Sequence, residues 1–245
     1  MRILVLLLAL STPVVAWLSV TGAFGPDQGT ISDRYPTLLV AAGWAFSIWS
    51  LIFMLDIVHG VLQATGQRRH DAVLGRIAPA TAAGFFLTLI WMPLFLQELF
   101  WLCLLVIFSA LACLAWSALV LSRNHGNGWS WVALSLHAGW LSLAAFLNLA
   151  QTIVAYELLP TVNMLVWSSV LFVLAAALLL GLNHAMRGNL AYAGAALWGL
   201  VAVYAKQSGS ELAGSSAAAW IAIAIALVLA MQTAWLSLRR IRADP

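Results

Sequence analysis

The sequence predicts an all-α protein built as a bundle of about eight transmembrane helices. Of its 245 residues, 64% are hydrophobic and only 8% are charged, and the mean hydropathy is +0.99. An ordinary soluble domain carries about 25% charged residues, so this composition indicates a polytopic membrane protein. Apolar stretches near the roughly 20 residues that cross a bilayer recur along the whole chain. They lie at 3–24, 39–62, 77–97, 99–121, 130–153, 161–183, 190–206 and 216–238.

The basic residues support this count, because helices that alternate sides from a cytoplasmic N-terminus place most of them together. Only Arg34 and Lys206 fall on the other side. The majority are Arg2, Arg68, Arg69, Arg76, Arg123, Arg187, Arg239, Arg240 and Arg242. This positive-inside bias predicts that both termini are cytoplasmic. Although the net charge is +3, no nucleic-acid partner is expected, because the basic residues sit in short loops between apolar stretches.

The first stretch could be a retained helix or a signal peptide. Arg2, an apolar run and small residues around Val15 and Ala16 fit the three-part pattern of a signal peptide. The apolar run continues from Trp17 to Phe24, past the usual cleavage point, so we expect this helix to be retained. The third and fourth stretches meet at Gln97-Glu98-Leu99 and are predicted to form a tight hairpin.

The second stretch carries Asp56 and His59 three residues apart on one helical face. The carboxylate could reach the interface or pair with Arg68 or Arg76, or it could serve a proton relay or contact a polar group of a substrate. Asp56 and His59 are therefore weak catalytic candidates. No metal site is predicted, because no second His or carboxylate has supporting spacing.

The fifth stretch carries a polar stripe at successive helical turns, formed by His137, Trp140, Ala144, Asn148 and Gln151. Lipid offers no hydrogen-bond partners, so this stripe is predicted to face the interior of the bundle. Asn148 and Gln151 suit hydrogen bonds between helices or contacts to a ligand. His137 could ligate haem iron, although a lone His in a helix is more often hydrogen-bonded to a neighbour.

The chain contains 13 tryptophans, which separate into two groups. Those near the ends of stretches are typical of an aromatic belt at the membrane surface: Trp17, Trp101, Trp129, Trp131, Trp220 and Trp235. A deeper indole N–H needs an acceptor, so the second group is predicted to face the bundle or a ligand: Trp44, Trp49, Trp91 and Trp140. On the seventh stretch, Ala191, Ala195 and Gly199 form a small-residue ridge that permits close packing within the protomer or in a dimer.

Three ordered segments resemble the tryptophan-rich sensory protein family, TspO, whose mammalian relative is the translocator protein. They are Gly43-Trp44-Ala45-Phe46-Ser47-Ile48-Trp49, then Trp91-Met92-Pro93-Leu94-Phe95, then Trp140, Ala144, Ala145, Phe146, Leu147 and Asn148. The resemblance runs across most of residues 1–155. There are departures from the family pattern: Leu136-His137 replace a Pro-Tyr, Ala41 and Ala42 replace prolines, and Thr88 replaces an Asn. The ligand chemistry is therefore expected to differ.

The resemblance implies a five-helix core at 1–155 followed by three additional transmembrane helices at 156–245. It also implies binding of porphyrins or other flat hydrophobic molecules such as sterols, often by a homodimer, with a porphyrin or haem as the candidate ligand. We expect a bacterial inner (plasma) membrane protein. The predicted ligand-binding residues, with His137 added from the polar stripe, are Trp44, Phe46, Trp49, Trp91, Phe95, His137, Trp140, Ala144 and Asn148.

Three functions stay open at this point. The first is a membrane receptor, sensor or carrier for a tetrapyrrole-like or sterol-like ligand. The second is an intramembrane enzyme acting on an isoprenoid, carotenoid or porphyrin, with Asp56 and His59 as acid and base. The third is a structural or assembly subunit of a larger membrane complex, in which the three additional helices are a docking surface.

Overall fold

The computed structural model describes residues 1–65, 67–124 and 128–243, and these ranges contain helices and connections without a strand. The helices are α1 (Arg2–Val20), α2 (Gln28–Arg34), α3 (Ile48–Ala64), α4 (Ala72–Leu96), α5 (Phe100–Arg123), α6 (Trp129–Ala155), α7 (Leu165–Ala185), α8 (Leu190–Ser208) and α9 (Ser215–Ala243). Two 3-10 turns occupy Gly43–Ser47 and Gln67–His70. The side chains of Arg240 and Arg242, which belong to the predicted charge bias, lie outside the described part of the chain.

Seven of the helical segments in the described ranges are long and apolar enough to span a membrane, which confirms an all-α membrane bundle. They are Arg2–Val20, Gly43–Ala64, Ala72–Leu96, Phe100–Arg123, Trp129–Ala155, Leu165–Ala185 and Ser215–Arg239. The predicted stretch 190–206 forms α8, which has 19 residues but is not among the seven. Its last turn carries Lys206 and Gln207, which lower the hydropathy of this helix.

Five helices close into a ring in the order α1, α3, α6, α5, α4, with α4 returning to α1. On the outer side of α6, α8 packs against α6 and α9, and α7 packs against α6 and α9. Helix α6 therefore belongs to both groups, and 83% of its spanning window is buried, compared with 22% for α1 and for α9. This central position buries the polar stripe, because His137, Trp140, Asn148 and Gln151 are each at most 3% exposed.

Glycines allow α6 and α8 to approach each other closely. A Cβ atom at Gly139 would lie only 2.2 Å from the backbone oxygen of Tyr192, so the two backbones are in direct contact there. A Cβ atom at Gly199 would lie 2.5 Å from the Leu143 side chain. The ridge that includes Ala195 and Gly199 is therefore used for packing within the protomer.

Local sequence signals explain where several elements begin and end. Asp71 and Asn189 accept hydrogen bonds from the first backbone N–H groups of α4 and α8, as N-caps do. The predicted hairpin is confirmed, because α4 ends at Leu96 and α5 begins at Phe100. Glu98 in the turn adopts a left-handed backbone conformation, with φ 59°.

Candidate functional site

Aromatic side chains from α3, α4 and α6 line a small cavity inside the five-helix ring. The lining residues are Ser32, Val40, Ala41, Phe46, Trp49, Trp91, Phe95, Trp140, Ala144, Leu147, Asn148 and Gln151. Seven of the nine predicted ligand-binding residues are therefore brought together. The accessible space is about 20 Å³, which holds roughly one or two water molecules, so the aromatic cavity is closed in this structure.

The aromatic wall is a connected set of ring contacts. The rings of Trp49 and Trp140 meet edge to face with centroids 5.9 Å apart, and Trp49 lies 6.2 Å from Trp91. The indole N–H of Trp91 donates to Asn148 Oδ1 at 3.0 Å and so ties α4 to α6. Phe46 meets Trp140 edge to face at 6.3 Å. Such edge-to-face pairs hold the rings in defined orientations.

Four lining residues carry buried side-chain N–H groups with no hydrogen-bond partner among the described residues. These groups are Trp49 Nε1, Trp140 Nε1, Asn148 Nδ2 and Gln151 Nε2. The Asn148 oxygen is already occupied by Trp91. A buried donor without an acceptor is costly, and more so in a membrane interior. The aromatic cavity therefore offers donors to a molecule that carries acceptors.

A wider groove lies beside the aromatic cavity, between α1 and α3. It encloses about 790 Å³ and includes Pro13 and Trp17 of α1 and Met54 of α3. Trp17 is 64% exposed and Met54 is 55% exposed, so the groove opens at the outer surface of the helix ring. Phe46 and Trp49 line both the groove and the aromatic cavity, and they form the partition between the two spaces.

The segment from Gln28 to Ser47, here called the lid, connects α1 to α3 and covers the aromatic cavity with Val40, Ala41 and Phe46. The α4–α5 hairpin holds one part of the lid. Arg34 pairs with Glu98 at 2.6 Å, and the Tyr35 hydroxyl donates to the same carboxylate. This hydrogen bond to the Glu98 carboxylate raises the pKa of Tyr35 above its usual value.

Helix α8 holds the rest of the lid, largely through lid backbone atoms. Gln207 Nε2 donates to the backbone oxygens of Thr37 and Val40 at 2.9 and 3.3 Å. The backbone N–H of Ala42 donates to the Ala202 oxygen at 3.0 Å.

Two further contacts join α8 to the lid. Trp198 Nε1 donates to the Ala45 oxygen at 3.0 Å, and Lys206 pairs with Asp33 at 2.7 Å. Sequence reasoning missed this support. The only signal for it was the polar pair Lys206-Gln207 at the end of an apolar stretch.

Two predicted site residues lie outside the aromatic cavity lining. Trp44 is 46% exposed and packs edge to face on Trp198 with ring centroids 4.8 Å apart. His137 lies behind the wall, where its Nδ1 is 2.8 Å from Asp56 Oδ2 and its Nε2 is 3.3 Å from Thr88 Oγ1. Gln151 and Leu147 line the aromatic cavity although they were not among the predicted ligand-binding residues.

Asp56 is fully inside the ring rather than at the interface. It pairs with His137 instead of Arg68 or Arg76, because it faces α6 from the middle of α3. Neither of the catalytic candidates, Asp56 and His59, lines the aromatic cavity or the groove. Across residues 1–65, 67–124 and 128–243, no group of three or more His, Cys, Asp or Glu side chains could hold a metal ion.

Comparison with known proteins gives one match. A family model described as TSPO-like protein matches residues 2–235, which include α7, α8 and most of α9 as well as the five-helix ring. No curated protein and no solved structure matches the chain. The division into a core at 1–155 and an addition at 156–245, whose last two residues lie outside the described ranges, stays a prediction.

Proposed function

Because the chain belongs to the TSPO-like family, we propose that it is a membrane binding protein for a flat hydrophobic ligand. The proposed ligand is a porphyrin-like or sterol-like molecule held in an intramembrane, tryptophan-lined pocket, and the protein would act as a receptor, sensor or carrier. Aromatic faces suit such a ligand, because a flat ring system buries a large apolar area against indoles.

The observation that carries this proposal is the set of unpartnered N–H groups in the aromatic cavity, on Trp49, Trp140, Asn148 and Gln151. They require acceptors, so a ligand with carboxylate or carbonyl oxygens at one edge satisfies several of them at once. A sterol hydroxyl supplies a single oxygen. The donor set therefore favours a porphyrin-like ligand over a sterol-like one.

The size of the ligand requires a change in the partition between the aromatic cavity and the groove. A tetrapyrrole cannot enter about 20 Å³, whereas the adjoining groove encloses about 790 Å³. Displacement of Phe46 and Trp49 joins the two spaces. We propose that the ring system of the ligand then occupies the groove and its acceptor edge reaches the N–H groups of Asn148 and Gln151.

His137 is not proposed as an axial ligand for haem iron. Both of its ring nitrogens already have neighbours, Asp56 and Thr88, and the residue does not line the aromatic cavity. The proposed ligand is therefore recognised by stacking and hydrogen bonds, without a bond to iron.

Titration with protoporphyrin IX, followed by quenching of tryptophan fluorescence, tests the proposal. The double variant Trp140→Ala/Asn148→Ala should bind at least about tenfold more weakly, since it removes two N–H donors and one aromatic wall of the joined space. Trp220→Phe is the matched control, because Trp220 is 65% exposed on α9, away from the site. Equal affinity in the wild type and the double variant would rule out this pocket.

Orientation and assembly complete the proposal. We propose a bacterial inner-membrane protein, and the arginine bias supports both termini in the cytoplasm, a topology in which α8 crosses the membrane as an eighth span in addition to the seven segments named above. In a background with Cys103 and Cys113 replaced by Ala, single cysteines placed at Arg2 and Arg123 should react with a membrane-impermeant reagent only in permeabilised cells. A homodimer is the proposed assembly, and its mass in detergent is measurable by light scattering. A monomeric mass would contradict the dimer alone.

A further inference from the structure

Below the aromatic wall, α3 carries a second buried polar group of residues that the proposed ligand does not use. Asp56, His59 and Gln63 are at most 2% exposed and occupy one face of the helix. From Asp56 to Gln63 the group extends about 10 Å along the helix axis, which is roughly a third of the hydrocarbon thickness of a bilayer. This polar column ends one residue before Ala64, the last residue of α3.

Most polar atoms of the column have no protein partner in the described ranges. They are Asp56 Oδ1, His59 Nδ1 and Nε2, and Gln63 Oε1 and Nε2. This set mixes donors and acceptors, unlike the N–H groups of the aromatic cavity. Buried polar groups in a membrane need partners, and water is the smallest molecule that can both donate and accept.

The contacts around His137 indicate a proton at the inner end of the column. The Thr88 hydroxyl lies 3.0 Å from the Gly84 oxygen and 3.3 Å from His137 Nε2; when it donates to Gly84, its oxygen accepts from His137 Nε2–H. The Nδ1 atom then faces Asp56 Oδ2 at 2.8 Å, and this contact is a hydrogen bond only when a proton lies between the two atoms. Without that proton, an isolated carboxylate would be buried in the ring, which is unfavourable.

The surrounding helices close the column at its inner end, and charged residues meet it at its other end, near Arg2. Helix α4 meets it with Thr88 and the ring of Phe85, which stacks on His137 and lies edge-on to His59. At the far end, the Arg2 guanidinium of α1 donates to the backbone oxygens of Gln63, Arg68 and Asp71. The titratable or charged groups are thus Asp56, His59 and His137 at the column itself, with Arg2, Arg68 and Asp71 at its far end.

We propose that this polar column is a hydrated proton-binding site. One proton is shared by Asp56 Oδ2 and His137 Nδ1, and water molecules pair with His59 and Gln63 and connect the pair to solvent at the Arg2 end. Release transfers this proton to a water molecule in the column and leaves a carboxylate beside a neutral imidazole that keeps its Nε2–H. Binding reverses the transfer. This proposal does not depend on the identity of the hydrophobic ligand.

Infrared difference spectroscopy of the protein in lipid nanodiscs tests the site. Between low and high pH, the wild type should show a protonated-carboxyl band that Asp56→Asn abolishes. In D₂O the band should shift promptly, because water reaches the pair. A band that is missing in the wild type, that persists in Asp56→Asn, or that fails to shift after prolonged incubation in D₂O overturns the proposal.

A variant that removes the water contacts tests the path separately. In His59→Leu/Gln63→Leu the band should remain, but its shift in D₂O should be roughly tenfold slower or more, since exchange then requires opening of the bundle. The matched control is Thr81→Val/Ser117→Ala, which removes a buried polar pair between α4 and α5 and should exchange like the wild type. Equal exchange in the path variant and the control overturns the hydrated path.

Discussion

The aromatic cavity and the polar column both lie where α3 faces α6, yet they present different chemical groups. The cavity presents indole faces and unpartnered N–H groups, whereas the column presents a carboxylate, an imidazole and an amide. Trp49 lies between them: it lines the cavity and meets the His137 ring edge-on at 5.8 Å. One helix pair therefore supports an apolar binding surface in one half of the bundle and a titratable group in the other.

This contrast shows that the depth of a polar residue in the bundle does not by itself identify the ligand site. Asn148 and His137 lie on the same face of α6, and both are buried. Only Asn148 adjoins a space that a ligand could extend into, while His137 is enclosed by Asp56, Thr88 and Phe85.

The largest expected effect comes from breaking the scaffold that both regions share. In Gly139→Ala the new Cβ atom would lie 2.2 Å from the Tyr192 backbone oxygen, and backbone cannot yield as a side chain does. We expect α6 and α8 to separate and the protein to lose about 3 kcal/mol or more of stability. Thermal unfolding in detergent measures this loss. Gly194→Ala on α8 is the control, because open space surrounds Gly194, and it should unfold like the wild type.

A moderate effect is expected on the cavity alone when the lid loses its support from α8. Gln207→Leu removes the hydrogen bonds to the Thr37 and Val40 oxygens, which together contribute about 1–3 kcal/mol. The lid should then open more often, and protoporphyrin IX should dissociate roughly five- to tenfold faster in stopped-flow measurements.

The matched control for the lid is Gln232→Leu, because Gln232 bonds to α7 far from the lid. Its dissociation rate should equal that of the wild type. The carboxyl band of Asp56 should be unchanged in both variants. If Gln207→Leu dissociates at the wild-type rate, the lid is not held by α8 during binding.

The smallest effect is expected at the α4–α5 hairpin. Glu98 raises the pKa of Tyr35, so Glu98→Gln should lower that pKa toward its ordinary value. The stabilisation from this hydrogen bond is complete below the ordinary tyrosine pKa and is lost as the pH rises through the raised one. Ultraviolet titration against a Tyr35→Phe reference measures the shift. An unchanged Tyr35 pKa in Glu98→Gln would show that the hairpin does not hold the lid through this contact.

Much of the fold follows from the sequence because hydrophobic length and helical periodicity act locally. The apolar stretches predict the membrane spans. The helical spacing of the polar residues from His137 to Gln151 predicts which face of α6 is buried. The aromatic wall could also be expected, since Trp49, Trp91 and Trp140 sit deep within their stretches and resemble a family pattern.

The remainder depends on which helices become neighbours, and periodicity within one helix does not encode that. The pairing of Asp56 with His137 requires α3 to lie beside α6 in the ring, so local spacing suggested arginine partners instead. The lid is held mainly through backbone atoms of Thr37, Val40 and Ala45. Every residue type has a backbone oxygen, so these contacts cannot be predicted from the residue types in the lid.

The central claim is that the flat ligand binds at the aromatic cavity and not at the polar column. The most direct test measures the dissociation constant of protoporphyrin IX at one pH in Asn148→Leu and Asp56→Asn, beside the wild type. We predict a loss of roughly tenfold in Asn148→Leu, which removes a donor and the Trp91 acceptor, and a change within about threefold in Asp56→Asn. Wild-type affinity in Asn148→Leu together with a tenfold loss in Asp56→Asn would contradict the account.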